Sequence, residues 1–228
     1  MANDEAKKAA GRAAAALVEN GMCIGLGSGS TANSFHIALA ERMHKEGIRV
    51  EGVAPSRRTE EHCAALGIPL VRLGRERTLD LAVDGADEIG PGLALIKGGG
   101  GALVREKLVV AAAREFVVIA DDTKAVPMLG EFPLPVAVIP FGWQTTQQRI
   151  REQFGVEPTV RGGEETPFLS DDGLYILDVP FQQIAEPAAL YDKLRSVVGV
   201  VDCGLFIGMA HRALLGQTDG RVLEITRS

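Results

Sequence analysis

Leu79-Asp80-Leu81-Ala82-Val83-Asp84-Gly85-Ala86-Asp87-Glu88 reads as a short apolar strand that stops on a cluster of acids. Leu79 to Val83 has the apolar and branched residues of a buried strand, with Asp84 at its carboxyl end. Open α/β sheets bind ligands beyond the carboxyl ends of their strands, so the chemistry of the chain is expected here. Asp84, Asp87 and Glu88 are close enough in sequence to repel one another, a setting in which carboxylates serve proton transfer. A Mg²⁺ site and a solvated turn stay open as alternatives, although the cluster lacks the regular ligand spacing of a calcium loop.

Downstream comes Lys97-Gly98-Gly99-Gly100-Gly101-Ala102-Leu103-Val104-Arg105-Glu106-Lys107. Glycines let backbone approach a ligand and adopt positive φ without a Cβ clash. Lys97 can hold a developing negative charge, and Glu106 lies about one turn into a helix expected over Ala102 to Arg114. A fold-back of the glycines lets Lys97 and Glu106 converge on one ligand. Arg105 and Lys107 face elsewhere, because i±1 neighbours do not share a helix face, and read as solvated or ion-paired.

Upstream, Gly25-Leu26-Gly27-Ser28-Gly29-Ser30-Thr31 joins a strand (Met22 to Leu26) to a helix (Ala32 to Lys45, stopped by Gly47). Free amides at a helix start, a positive dipole end and hydroxyls make a phosphate cradle; the plain alternative is a tight turn with a serine or threonine cap. A P-loop needs a lysine before Thr31 and has none. Gly27 to Ala32 fits G-x-G-x-x-A, so a dinucleotide remains possible. The second strand ends at Ala54-Pro55-Ser56-Arg57-Arg58 without the expected acid, although those arginines suit a 2′-phosphate. A monophosphate needs nothing further.

Around these segments the pattern alternates. Helices are expected over Asn3 to Glu19 and Thr59 to Leu66, and strands over Ile48 to Ala54, Pro69 to Leu73 and Phe116 to Ala120. Lys124 follows the last of these. This alternation implies a parallel sheet wrapped by helices. The texture changes at Gly130-Glu131-Phe132-Pro133-Leu134-Pro135. Beyond it the expected order is a strand (Val136 to Ile139), a helix (Thr145 to Phe154), strands near Thr159 and over Tyr175 to Val179, a helix (Ala188 to Val197) and a strand (Val201 to Phe206). That order is a split βαβ unit. Glu224-Ile225-Thr226 then returns towards the first domain.

The formal net charge of −6 and a pI of about 5.3 argue against nucleic acid as the main partner, but not against a small phosphate. Cys23, Cys63 and Cys203 share no C-x-x-C spacing and read as reduced packing residues. The polar start and the lack of a long apolar run point to the cytoplasm, with no membrane span. His36, His44, His62 and His211 show no metal spacing, and none is expected to be catalytic.

Taken together, the Gly-Ser-Gly-Ser-Thr loop, Asp-Gly-Ala-Asp-Glu, Lys-Gly-Gly-Gly with its downstream Arg-Glu-Lys, Asp122-Thr123-Lys124, Phe132-Pro133-Leu134-Pro135-Val136 and Gly204-Leu205-Phe206 resemble ribose-5-phosphate isomerases of the A type. The resemblance spans nearly the whole chain. It implies an aldose–ketose isomerase of the non-oxidative pentose phosphate pathway that uses neither metal nor nucleotide, with no other cofactor. It implies an α/β fold: a Rossmann-like parallel-sheet domain (1–129 plus 205–228) and a smaller α+β, ferredoxin-like split βαβ domain (130–204). The enzyme is expected to be a homodimer or homotetramer.

Carried over by position, Glu106 is the base that moves a proton between C1 and C2. Asp84 assists ring opening and, with Asp87 and the intervening Gly85 and Ala86, binds sugar hydroxyls. Lys97 and the amides of Gly98, Gly99 and Gly100 stabilise the oxyanion. Ser28, Gly29, Ser30 and Thr31 hold the substrate, the last two chiefly at its phosphate, supported by Lys124 and Lys7. Two departures stand out: Ser28 replaces a threonine, and Pro55-Ser56-Arg57-Arg58 replaces a more serine-rich segment. A non-catalytic sugar-phosphate sensor of related fold is the alternative; it predicts a DNA-binding helix-turn-helix segment, and none is expected here because the sequence reads as starting directly with the sheet domain.

Overall fold

A computed structural model describes residues 2–75 and 78–227. In chain order these form α1 (Ala2–Ala16), β1 (Cys23–Leu26), α2 (Ser30–Glu46), β2 (Glu51–Val53), α3 (Arg57–Ala65) and β3 (Leu79–Gly85). The chain continues through β4 (Glu88–Ile89), β5 (Leu95–Ile96), α4 (Leu103–Ala111), β6 (Ala113–Asp121) and β7 (Leu134–Val138). Then come α5 (Trp143–Phe154), β8 (Thr159–Val160), β9 (Tyr175–Val179) and α6 (Pro187–Arg195). Four strands follow: β10 (Val200–Cys203), β11 (Leu205–Phe206), β12 (Arg212–Gly216) and β13 (Val222–Thr226). No described helix is long and apolar enough to cross a membrane.

Two compact units share the chain. The first holds the residues up to Ala86, Arg105–Ala125 and Gly208 onward. Its sheet has the order β13-β12-β6-β3-β1-β2, parallel throughout except for the β12–β13 edge pair. The central strands are buried on both faces, as parallel sheets are, which explains the continuous apolar runs Ala82–Val83 and Val117–Ala120. Helix α1 is alanine-rich because it lies so close to its neighbours: a Cβ at Gly216 would fall 1.8 Å from the Ala6 carbonyl oxygen, and one at Gly11 2.7 Å from the Phe35 nitrogen. Arg42 of α2 then donates to the Ala15 and Val18 carbonyls at the end of α1, satisfying acceptors that a helix terminus leaves open.

The second unit comprises Asp87–Val104 and Val126–Ile207. Its four-stranded sheet has the order β10-β7-β9-β8, each pair antiparallel. With α5 and α6 in the connections, this is the expected ferredoxin-like split βαβ arrangement. A small three-stranded sheet, β11-β5-β4, accompanies it. Residues 87–104, expected with the first domain, belong to this unit because β4 and β5 pair with each other and with β11.

Several element expectations need correction. The strand expected over Pro69 to Leu73 reduces to a single bridge between Leu70 and Gly52; Pro69 has no N–H to extend a ladder. The helix expected over Ala102 to Arg114 ends at Ala111, and β6 begins at Ala113, a change of state inside an alanine run that carries no breaker. The strand expected over Val201 to Phe206 is two strands of different sheets, broken at Gly204, where a Cβ would lie 2.1 Å from the Lys97 carbonyl oxygen. Strands β4, β5 and β12 had no counterpart in the sequence reading.

Candidate active site

In the first unit, three parallel strands deliver their carboxyl ends to one sheet edge: β1 leads to Gly27, β3 ends at Asp84–Gly85, and β6 leads to the Asp122–Lys124 turn. The β1 and β3 ends touch. A Cβ at Gly27 would fall 2.2 Å from Asp84 Oδ1 and 2.5 Å from Asp84 Cα, so only glycine fits. The contact brings the Ser28 N–H to Asp84 Oδ1 at 2.9 Å, and the Gly85 N–H donates to the same oxygen at 2.7 Å. Asp84 is 3% exposed, and these two amides satisfy one oxygen of its buried carboxyl group.

Gly29, at φ 92°, stands before α2, and no side chain caps that helix. The α2 amides at Ser30 and Thr31 therefore face outward with the positive end of the helix dipole. Lys7 of α1 donates from Nζ to Ser30 Oγ at 3.0 Å, adding a cation at the same point. Helix start, hydroxyls and ammonium are the components from which an anion cradle can be built. Lys124 lies half-buried in the turn after β6, on the same sheet edge.

Glu106 is in the first turn of α4 and 4% exposed. A carboxylate there is favoured by the helix dipole. It shares a helix face with Val109, whose Cγ1 would lie 2.6 Å from a Cβ at Gly25 of β1. Arg105 and Lys107 are half-buried and engaged with neighbours.

In the second unit, Lys97 is 3% exposed, its Nζ 5.4 Å from the centroid of the Phe206 ring, a cation–π contact. The backbone turns at Gly98 (φ 102°), and the Gly101 N–H closes the turn on the Gly98 carbonyl at 2.9 Å. Asp87 Oδ2 accepts the Gly99 N–H at 2.8 Å. Glu88, the third acid of the cluster, is buried and accepts from the Gly130 and Phe132 amides at 2.7 and 2.5 Å. It ties down the loop before β7.

The family model for ribose 5-phosphate isomerase A (phosphoriboisomerase A) matches residues 51–220. The chain belongs to the ribose 5-phosphate isomerase A family. It is 52% identical to a ribose-5-phosphate isomerase A from Synechococcus and 47% identical to one from Oceanobacillus iheyensis. The first alignment covers 95% of each chain, the second 95% of this chain and 96% of the relative. The fold matches a ribose 5-phosphate isomerase A from Methanocaldococcus jannaschii with a TM-score of 0.89 at 38% identity, over 96% of this chain and 97% of that one. It also matches a D-ribose-5-phosphate isomerase in complex with phospho-erythronic acid, with a TM-score of 0.94 at 33% identity over the full length of both.

Two groups escaped the sequence reading. Ser56 and Thr59 form a hydroxyl cluster with Ser28: Ser28 Oγ lies 3.3 Å from Ser56 Oγ and 3.1 Å from Thr59 Oγ1. Ser56 also caps α3 by accepting the Thr59 N–H at 3.1 Å, a role that Ser56-x-x-Thr59 announces as a helix start. Arg57 and Arg58 are exposed in the first turn of that helix. The other group is Arg161 with Asp178, for which no local signal exists.

Proposed function

We propose that the chain interconverts D-ribose 5-phosphate and D-ribulose 5-phosphate, the aldose–ketose step of the non-oxidative pentose phosphate pathway. One observation carries this reading. An anion cradle (Gly29, Ser30, Thr31, Lys7) shares a sheet edge with Asp84, a buried carboxylate held by two amides, in a chain 52% identical to a named isomerase. The cradle suits a phosphate, and the carboxylate suits the polyhydroxy body attached to it.

Ser30, Thr31 and Lys7 hold the phosphate, with Lys124 in support. Asp84 takes the C1 hydroxyl proton as the C1–O4 bond breaks and returns it to O4, which opens the sugar, and with Asp87 it orients the hydroxyls. Glu106 takes the proton from C2 of the open aldose. That C–H pair becomes the C1=C2 bond, and the carbonyl pair moves onto O1. The same carboxyl returns its proton to C1, while the O2 proton passes to O1 and the C2 carbonyl forms. Lys97 and the glycine-loop amides carry the enediolate charge; donors of this kind are worth roughly 3–4 kcal/mol each. The Gly99 N–H is committed to Asp87, so Gly98 and Gly100 are the amides assigned to the oxyanion.

The same proposal holds the enzyme to be cytoplasmic and homo-oligomeric, with the two compact units as its domains. Phe141 is 94% exposed and Val198 73%, apolar surface of the second unit that a second copy would cover. Incubation with ribose 5-phosphate in EDTA, without nucleotide, tests the function. Ribulose 5-phosphate should accumulate; binding without product would overturn the assignment.

A further inference from the structure

Four consecutive glycines form the least constrained backbone in the chain, yet an oxyanion donor must be aimed before the charge develops. Something outside the loop has to fix it. Asp87 accounts for one end of one peptide plane, through the Gly99 N–H. Within the loop the Gly101 N–H donates to the Gly98 carbonyl, and two further contacts come from Arg161, 62 residues beyond Gly99 in sequence. Its Nη1 donates to the Gly98 and Gly99 carbonyls, each at 3.0 Å. Its Nε donates to Asp178 Oδ2 at 3.0 Å, and its Nη2 to Asp178 Oδ1. The fork on Asp178 leaves Nη1 a single direction, and the planar guanidinium makes that direction rigid.

The two carbonyl contacts have different consequences. The plane joining Gly98 to Gly99 is pinned at both ends, its carbonyl by Arg161 and its N–H by Asp87. The plane joining Gly99 to Gly100 is held at its carbonyl by Arg161. A trans peptide points its N–H opposite to its carbonyl, so Arg161 sets the direction of the Gly100 N–H. The guanidinium charge also polarises that peptide and strengthens its donor. Phe168 closes the far end of the loop, where a Cβ at Gly101 would meet its ring at 2.4 Å.

We propose that Arg161, braced by Asp178, is a positioning residue that holds the Gly98–Gly100 peptides in the orientation that receives the enediolate. This rests on the isomerase reading above. The experiment compares wild type, Arg161→Gln, Arg161→Ala and Asp178→Asn as full chains, and wild-type turnover of ribose 5-phosphate is measured first. A wild type that does not isomerise overturns the functional reading. The clamp is then judged by hydrogen exchange alone, which should quicken across residues 98–101 in Arg161→Gln.

With an active wild type, Arg161→Gln should lose about 10²-fold in kcat with KM changed less than about threefold, as for the loss of one oxyanion donor. Affinity for phospho-erythronic acid, whose carboxylate mimics the enediolate oxygens, should fall alongside kcat. Asp178→Asn, which keeps the cation but loosens its fork, should lose on the order of tenfold in kcat. Added guanidinium should restore part of the rate of Arg161→Ala. Near-wild-type kcat in Arg161→Gln overturns the clamp, as does a loss confined to KM. If Arg161→Gln fails to fold, Asp178→Asn decides by the same split.

Discussion

Two glycine loops serve this molecule, and they are built on opposite plans. The Gly27–Thr31 loop is shaped by backbone proximity. Parallel β1 and β3 end so close together that the Gly27 position touches Asp84, and the packing itself presents the Ser28 amide and the α2 amides. The Gly98–Gly101 loop closes a turn of its own, the Gly101 N–H on the Gly98 carbonyl, with Leu103 and Pro135 against Gly98. Imported side chains then hold that turn: Asp87 on one amide, Arg161 on two carbonyls, Phe168 against Gly101. The difference suits the duties assigned to them. A phosphate is a fixed anion and tolerates a cradle made of general backbone features. An enediolate charge appears only during turnover, and its donors must already be aimed.

The contrast can be broken first at Gly27. Alanine there drives a Cβ into the Asp84 backbone, so the two strand ends must separate. Gly27→Ala should lower stability by about 1–3 kcal/mol, as overpacking does, and reduce kcat by about 10²-fold or more through displacement of Asp84. Denaturant titration with steady-state kinetics checks both.

A smaller effect separates two neighbours in the other loop. A Cβ at Gly99 would lie 2.6 Å from Asp87 Oδ1 and 3.1 Å from the Phe132 ring, whereas one at Gly100 meets nothing within 4 Å. Gly99→Ala should lower the melting temperature by about 3–6 °C, and Gly100→Ala by less than about 2 °C. Equal losses would mean that the side-chain clamps do not set the loop.

The smallest effect lies away from both loops. His36 of α2 is fully buried, its ring 5.6 Å from that of His62, and neither of its nitrogens makes a hydrogen bond. Burial, then the neighbouring His62, lowers its pKa from 6.5 to about 3. The folded state thus resists protonation while the unfolded chain accepts it. The stability contribution is complete above pH 6.5 and drains as pH falls towards 3. Between pH 8 and pH 5 this group should account for about 2 kcal/mol of lost stability. His36→Leu should flatten that limb in urea titrations.

Local chemistry was legible in the sequence where it was local in cause. An apolar run ending on Asp84, the glycine that stops α2 at Gly47 and the strand Tyr175–Val179 each carry their signal within a few residues. Gly204 looks like part of one strand until Lys97, far away in sequence, comes against it. Glu88 looks equivalent to Asp84 and Asp87, but the amides of Gly130 and Phe132 claim it. Arg161 resembles any surface arginine until β8 and β9 bring it to Asp178 and the glycine loop. These roles depend on long-range pairing, and no window of sequence contains them.

The proposed proton transfer by Glu106 is tested most directly by the turnover of ribose 5-phosphate by Glu106→Gln, paired with its affinity for phospho-erythronic acid. The amide keeps the shape but cannot accept the C2 proton. Turnover should fall by about 10³-fold or more, with binding changed less than about threefold. A variant that isomerises near the wild-type rate would contradict the account.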